Sequence, residues 1–235
     1  MFVEWPCPRP GGETAGEMAR VQDNGHAHRV LVIPPLFDEA NKLRAQLAAV
    51  MRRLGRAGVD SVLPDLPGWN ESTAPLSEQS LSGWRSAMAS AAGHFGTSHA
   101  LAVRAGALLV PDGLPGWDYA PIGGRQMLRG MLRARTIAAR EAGREESSDA
   151  IAETGRREGV ELAGWQLGPT LFAELEGAEY TPDPVRKTIA QSDICGNPLW
   201  LRAEPDTDSD QADALVAIIT HTLSSENPGS SEKPE

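Results

Sequence analysis

Arg104 stands at a junction built to present a side chain. The apolar run Ala100–Val103 (ALAV) ends beside it, and Ala105–Val110 (AGALLV) follows as a short helical segment stopped by Pro111. A sharp strand-to-helix turn exposes its central residue, and small neighbours, here Ala102, Ala105 and Gly106, let strand and helix pack closely. In many enzymes such a turn carries a serine or cysteine nucleophile. A guanidinium stays protonated in proteins and cannot attack a carbonyl, so acyl-enzyme chemistry is excluded at this position. An arginine at a helix start also faces the positive end of the helix dipole and calls for an anion. Asp38, Glu39, Asp65 and Glu71 are the internal candidates, and the carboxylate or phosphate of a ligand is the external one. An internal salt bridge that fixes the loops is the favoured reading, with anion binding second.

The other candidates are weaker. Asp38, Glu39, Asn41 and Lys42 fall at the entrance of a helix after an early strand, where Asp38 could cap free backbone N–H groups. Glu39 and Asp65 are the carboxylates that could activate water if Arg104 held an anionic substrate. Ser72 reads as a turn residue, and Lys42 and Arg44 as solvated helix residues. A hydrolytic triad in the order nucleophile, acid, histidine needs a histidine after the turn. Only His221 lies downstream, beside Thr220 and Thr222 inside an expected helix, and it reads as a helix residue. Cys7 and Cys195 are far apart, lack metal-ligand spacing and have no evident base nearby. They read as plain thiols, and neither a metal nor a cofactor is expected.

The elements that position these residues are legible in outline. Met1–Arg29 has no sustained period and reads as irregular, with a short strand at its end as the alternative. Arg29–Ile33 (RVLVI), stopped by Pro34 and Pro35, suits a strand buried on both faces. Leu43, Leu47, Val50 and Leu54 recur at helical spacing over Glu39–Ala57, with Gly58 as the stop. Val59–Pro64 is the next strand, Asp65–Ser72 (DLPGWNES) a turn-rich loop, Leu81–Ala92 a helix and Ala100–Val103 a third strand. Alternation of this kind predicts an α/β fold with a mostly parallel sheet covered by helices on both faces. Residues 126–158 read as a helical insertion, Val160–Leu167 as a strand or irregular segment, Pro198–Ala203 (PLWLRA) as a late strand and Asp213–Leu223 as the last helix. The reading is therefore an irregular segment over 1–29, one domain over 30–223, and a disordered tail over 224–235, which lacks apolar surface to offset chain entropy.

Three segments together resemble the α/β-hydrolase superfamily: the loop after an early strand, an Asp-x-Pro-Gly loop (Asp65-Leu66-Pro67-Gly68), and the strand-turn-helix elbow at Val103-Arg104-Ala105-Gly106. More closely, the chain is similar to the exosortase A system-associated hydrolase 2 family. The matching residues are Pro34-Pro35-Leu36-Phe37-Asp38-Glu39-Ala40-Asn41-Lys42-Leu43-Arg44, Asp65-Leu66-Pro67-Gly68, Val103-Arg104-Ala105-Gly106-Ala107-Leu108-Leu109, Gly123–Leu128, Glu161–Leu167 and Pro198-Leu199-Trp200. The resemblance implies an α/β-hydrolase-like fold with a helical insertion, an elbow that carries Arg as a family trait, and a place beside exosortase and exopolysaccharide genes. It also implies ligand contacts from Leu36, Phe37, Glu39, Asn41, Arg104 and Ala105.

Charge narrows the partners. A formal net charge of -10 disfavours nucleic acid, whose binders draw affinity from basic groups. Carboxylates crowd the end of the chain, whereas Arg125, Arg129, Arg133, Arg135, Arg140 and Arg144 cluster in the middle, and the first three share one helix face. No run is apolar and long enough to span a bilayer, and Met1–Pro10 has no signal-peptide character, so the expected location is the cytoplasm. The resulting expectation is a hydrolase-like protein of an exosortase or exopolysaccharide system, lacking a Ser or Cys nucleophile and a catalytic His, that binds an anionic small molecule or a partner protein. Its rivals are an active hydrolase using a carboxylate with Arg104 as the anion holder, and a scaffold acting through the Arg-rich helix.

Overall fold

The computed structural model describes residues 1–9 and 12–226. In chain order the elements are β1 (Phe2–Pro8), β2 (Thr14–Gln22), β3 (His28–Ile33), α1 (Asp38–Arg56), β4 (Val59–Pro64), α2 (Leu81–Phe95), β5 (His99–Val103), β6 (Gly116–Tyr119), α3 (Gly124–Glu141), α4 (Ser148–Glu158), β7 (Val160–Leu162), β8 (Trp165–Leu167), α5 (Pro169–Gly177), β9 (Arg186–Ile189) and α6 (Ser209–Glu226). Seven strands form one sheet in the order β1-β2-β4-β3-β5-β6-β9, and β7 pairs with β8 in a separate antiparallel hairpin. From β4 to β9 the pairs are parallel, while β1–β2 and β2–β4 are antiparallel.

The two faces of the sheet are buried under different layers because side chains alternate along each strand. On β3, Val30 and Val32 join Leu43, Leu47, Val50 and Leu54 of α1 and Leu215 and Ile219 of α6. Leu31 and Ile33 point the other way, into a core shared with Trp84 and Met88 of α2 and with Leu128, Ile151 and Phe172 of α3, α4 and α5. Strands buried on both sides read as continuous apolar runs, which is why β3 and β5 are visible in the sequence. The helix expected over Glu39–Ala57 is α1, and the one expected over Leu81–Ala92 is α2, where the Ser80 side chain accepts from the Gly83 N–H and Gly96, at φ 60°, ends it. The helical segment expected over 126–158 falls on α3 and α4, and the chain then runs through β7, β8 and α5 before returning to the sheet.

Two expectations are corrected. Met1–Arg29 is not irregular: β1 and β2 form a hairpin on the edge of the sheet, with Trp5, Cys7, Glu17, Ala19 and Val21 buried. Pro6 and Pro8 disguise β1 as a loop, yet an edge strand tolerates residues that cannot donate to a ladder. Pro198–Ala203 is not a strand: Leu199–Leu201 is a 3₁₀ turn whose Leu199 and Trp200 are buried. The last strand of the sheet is instead β9 (RKTI), whose only buried residue is Ile189. Of the tail expected to be disordered, Ser224–Glu226 belong to α6, and 227–235 lie outside the described residues.

Candidate functional site

The C-terminal ends of β3 and β5 bring two strained residues together. Arg104, directly after β5, has φ 56°, and Phe37, before α1, has the same φ. Positive φ is costly for residues with a Cβ, so the surrounding packing must hold both. Gly106 supplies part of that packing: a Cβ there would lie 2.3 Å from the Pro34 carbonyl oxygen. The 3₁₀ segment Arg104–Leu109 is thus pressed against the loop that leaves β3.

The Arg104 side chain turns back into the protein. Nε donates to Glu39 Oε2 at 3.0 Å and Nη2 to Glu39 Oε1 at 3.2 Å, while Nη1 donates to the Ala120 carbonyl at 2.9 Å. The guanidinium also lies over the Trp200 ring, with Cζ 4.2 Å from the centroid. Planar guanidinium matches a carboxylate in two parallel bonds and stacks on aromatic faces. With its side chain 12% exposed, Arg104 is met on three sides by protein groups. Of the four acids expected to answer Arg104, Glu39 is the one that does.

Other expected residues take varied places. Asp38 does not cap α1; its carboxylate pairs with Lys42 at 3.0 Å, and no side chain caps that helix. Positive φ at Phe37 turns the entering backbone, and Asp38, already in the first turn, reaches forward one turn instead of back to a free N–H. Leu36, Phe37 and Ala105 are buried in the core, and Asn41 is exposed. Phe37 packs in an aromatic group with Trp69, Trp84 and Trp165, with ring centroids 5.4–6.1 Å from it. Asp65 accepts from Asn70 Nδ2, and burial raises its pKa. Ser72 is a turn residue: its hydroxyl accepts from the Gly68 and Ala74 N–H groups and donates to Glu17.

The chemistry of a triad is not assembled here. His221 is exposed in the interior of α6. His99 opens β5, so about 16 Å of strand separates it from Arg104, and its Nε2 contacts Glu226 at 3.0 Å. Cys195 is exposed, while Cys7 is buried and its thiol is pushed up to about 12, first by burial and then by Glu17. Arg125, Arg129 and Arg133 are exposed along α3, and a groove of about 930 Å³ between α3 and α4 is lined by Arg135, Arg140 and Arg144 together with Glu145 and Glu146.

Sequence reasoning missed two partners of Arg104. The Ala120 carbonyl carries no side-chain signal, and β6 (GWDY), which ends next to it, is too short and too Gly-Asp rich to stand out. Trp200 sat in a matching segment, but its indole reaches Arg104 only because the chain folds into a turn there and not a strand.

No family model matches the sequence, and no curated protein matches it. Solved structures do. Alpha/beta hydrolase domain-containing protein 10 from mouse superposes with a TM-score of 0.57 over 95% of this chain and 99% of that one, at 15% identity. A protein from Thermoplasma acidophilum described as a predicted CIB-like hydrolase gives a TM-score of 0.44 over 95% and 98% at 12% identity. A protein from Agrobacterium vitis S4 gives 0.45 over 59% of this chain at 16% identity, and the chain spans 60% of that protein's length. Among the described residues no helix is long and apolar enough to cross a membrane. The seven-stranded order, the strained elbow after β5 and the full-length superposition on the mouse protein together give this chain the α/β-hydrolase fold.

Proposed function

We propose that this protein is a hydrolase-fold component of a bacterial exosortase or exopolysaccharide system that has given up acyl-enzyme hydrolysis and acts in the cytoplasm by binding an anionic small molecule or a partner. The observation that carries the reading is the Arg104–Glu39 pair: the elbow presents a residue that cannot attack, and an internal carboxylate already neutralises it. The same pair weakens the rival in which Glu39 activates water and Arg104 holds substrate, since each group occupies the other. The exosortase assignment rests on the matched segments alone.

The test is hydrolysis of a short chromogenic ester by the purified protein, Arg104→Ala and Arg104→Ser. None should exceed buffer, because serine at position 104 would still lack a histidine. Turnover in the parent that disappears in Arg104→Ala would overturn the proposal and return Arg104 to substrate binding.

The exposed guanidiniums of α3 favour a second reading, a scaffold for an acidic partner. Replacing Arg129 and Arg133 together by Glu would then abolish partner capture from an extract while leaving the fold intact.

A further inference from the structure

A second arginine group lies away from the elbow and has no carboxylate in direct contact with it. Arg20 on β2 and Arg44 and Arg52 on α1 form no ion pair with any carboxylate among the described residues. Arg44 donates to Asn70 Oδ1 at 3.0 Å, and Arg20 lies over the Phe2 ring at 6.0 Å. Burial together with the nearby charges of Arg52 and Arg44 lowers the Arg20 pKa, as expected where like charges crowd without a counter-ion.

Arg20 and Arg44 line a cavity of about 50 Å³ at the C-terminal end of β4. Part of its wall is apolar, with Leu47, Leu66 and Trp69 buried there, and Asn41, Asp65 and Asn70 complete its polar side. Trp69 keeps a buried indole N–H with no hydrogen-bond partner among the described residues. Asp65 lies there too, held by Asn70, whose Oδ1 in turn accepts from Arg44, so one carboxylate stands beside three guanidiniums. Apolar walls with a few converging polar groups are the usual make-up of a small-molecule site. A volume this small admits a few heavy atoms, since one water needs roughly 10–15 Å³ on this measure.

We propose that this cavity binds a small organic anion, its phosphate or carboxylate head held by Arg20 and Arg44 with Arg52 beside them, and its short alkyl group resting on Leu47, Leu66 and Trp69. This gives a place and a chemical class to the anionic ligand of the proposed function and rests on that reading. The elbow cannot serve the purpose, because its arginine is already spent on Glu39.

Titration calorimetry of the full chain with butyl phosphate, butyrate, inorganic phosphate and 1-butanol tests it. Butyl phosphate or butyrate should bind saturably, whichever is tighter naming the head group. That binding should weaken as salt rises, and on the order of tenfold in Arg44→Gln, the loss expected when a charged hydrogen-bond donor is removed. Inorganic phosphate and 1-butanol should each bind more weakly than the better organic anion. No saturable binding of either organic anion would overturn the proposal, as would equal binding of inorganic phosphate. So would unchanged binding in the Arg20→Gln, Arg44→Gln double variant when its thermal unfolding matches the parent. Ester hydrolysis is measured separately, so turnover in the parent would sink the non-catalytic reading without touching the result of this titration.

Discussion

Arg104 and Glu39 open helical segments that follow different strands, yet their side chains meet in a two-bond fork with N to O distances of 3.0 and 3.2 Å. The pair ties the elbow after β5 to the first turn of α1. Its removal should therefore loosen the top of the sheet. Glu39→Ala leaves a guanidinium 12% exposed without its carboxylate, and the cost should be about 2–3 kcal/mol. Urea unfolding reads it directly, and a double-mutant cycle with Arg104→Ala should return a coupling of at least about 1 kcal/mol. Additive effects of the two changes would show that the fork contributes nothing.

Gly106→Ala should be more disruptive than its size suggests. The added Cβ would sit 2.3 Å from the Pro34 oxygen and 2.9 Å from the Ile33 oxygen, both backbone atoms that cannot swing aside. Overpacking of this kind costs about 1–3 kcal/mol. A melting temperature equal to that of the parent would mean that the loop after β3 yields easily.

Asp65→Asn should stabilise the protein at neutral pH. Burial raises the pKa of Asp65 above its unfolded value, so the folded state holds this proton more tightly than the unfolded chain does. Stability contributed by the protonated form is present below the ordinary aspartate range and is lost as pH rises through the folded pKa. Asparagine keeps an oxygen for Asn70 and avoids the buried charge. The urea midpoint of the variant should exceed that of the parent at pH 7 and converge with it near pH 3. A variant less stable than the parent at pH 7 would mean that the carboxylate is held by more than Asn70.

The two thiols should behave differently. Cys195 is exposed, and Cys7 is buried with its pKa pushed up to about 12. Thiolate is the reactive form, so at pH 8 an aromatic disulfide reagent should modify Cys195 quickly and Cys7 only after denaturation. Rapid labelling of both in the native protein would show that the β1–β2 edge opens.

What could be read from the sequence follows from how each segment is buried. β3, α1, α2 and β5 were legible because they show either an unbroken apolar run or a clean helical period, and β4 because Gly58 and Pro64 bracket a short run with Val59, Val62 and Leu63. β1 and β2 were missed because an edge hairpin buries alternate residues only, and Pro6, Pro8 and Glu17 break even that pattern. β9 was missed because it exposes most of its side chains, whereas PLWLRA drew the eye with Leu199 and Trp200, buried in a turn. At the elbow, residue type and position were enough to demand an anion for Arg104 and to name Glu39 among the candidate acceptors. The choice of Glu39 depended on where its rivals are engaged, Asp38 by Lys42 and Asp65 by Asn70, which no side-chain pattern encodes.

The place of β2 in the sheet bears on how the chain finds its structure. β2 does not pair with β3, the next strand along the chain, but with β4, so Ala19 must wait for Pro64 and Gln22 for Ser61. At the opposite edge, β6 gains its outer neighbour only when Arg186–Ile189 arrives, after the chain has passed through α3, α4 and α5. Both flanks of the sheet thus close through distant partners, and closing long loops costs entropy before the contacts repay it. Among the parallel pairs β5–β6 bridges the shortest stretch of chain, from Ala100 to Gly116, and β3–β4 the next, from Val30 to Ser61, whereas β3–β5 and β6–β9 each wait for a strand much farther along, so the parallel sheet closes most cheaply at its β5–β6 and β3–β4 seams.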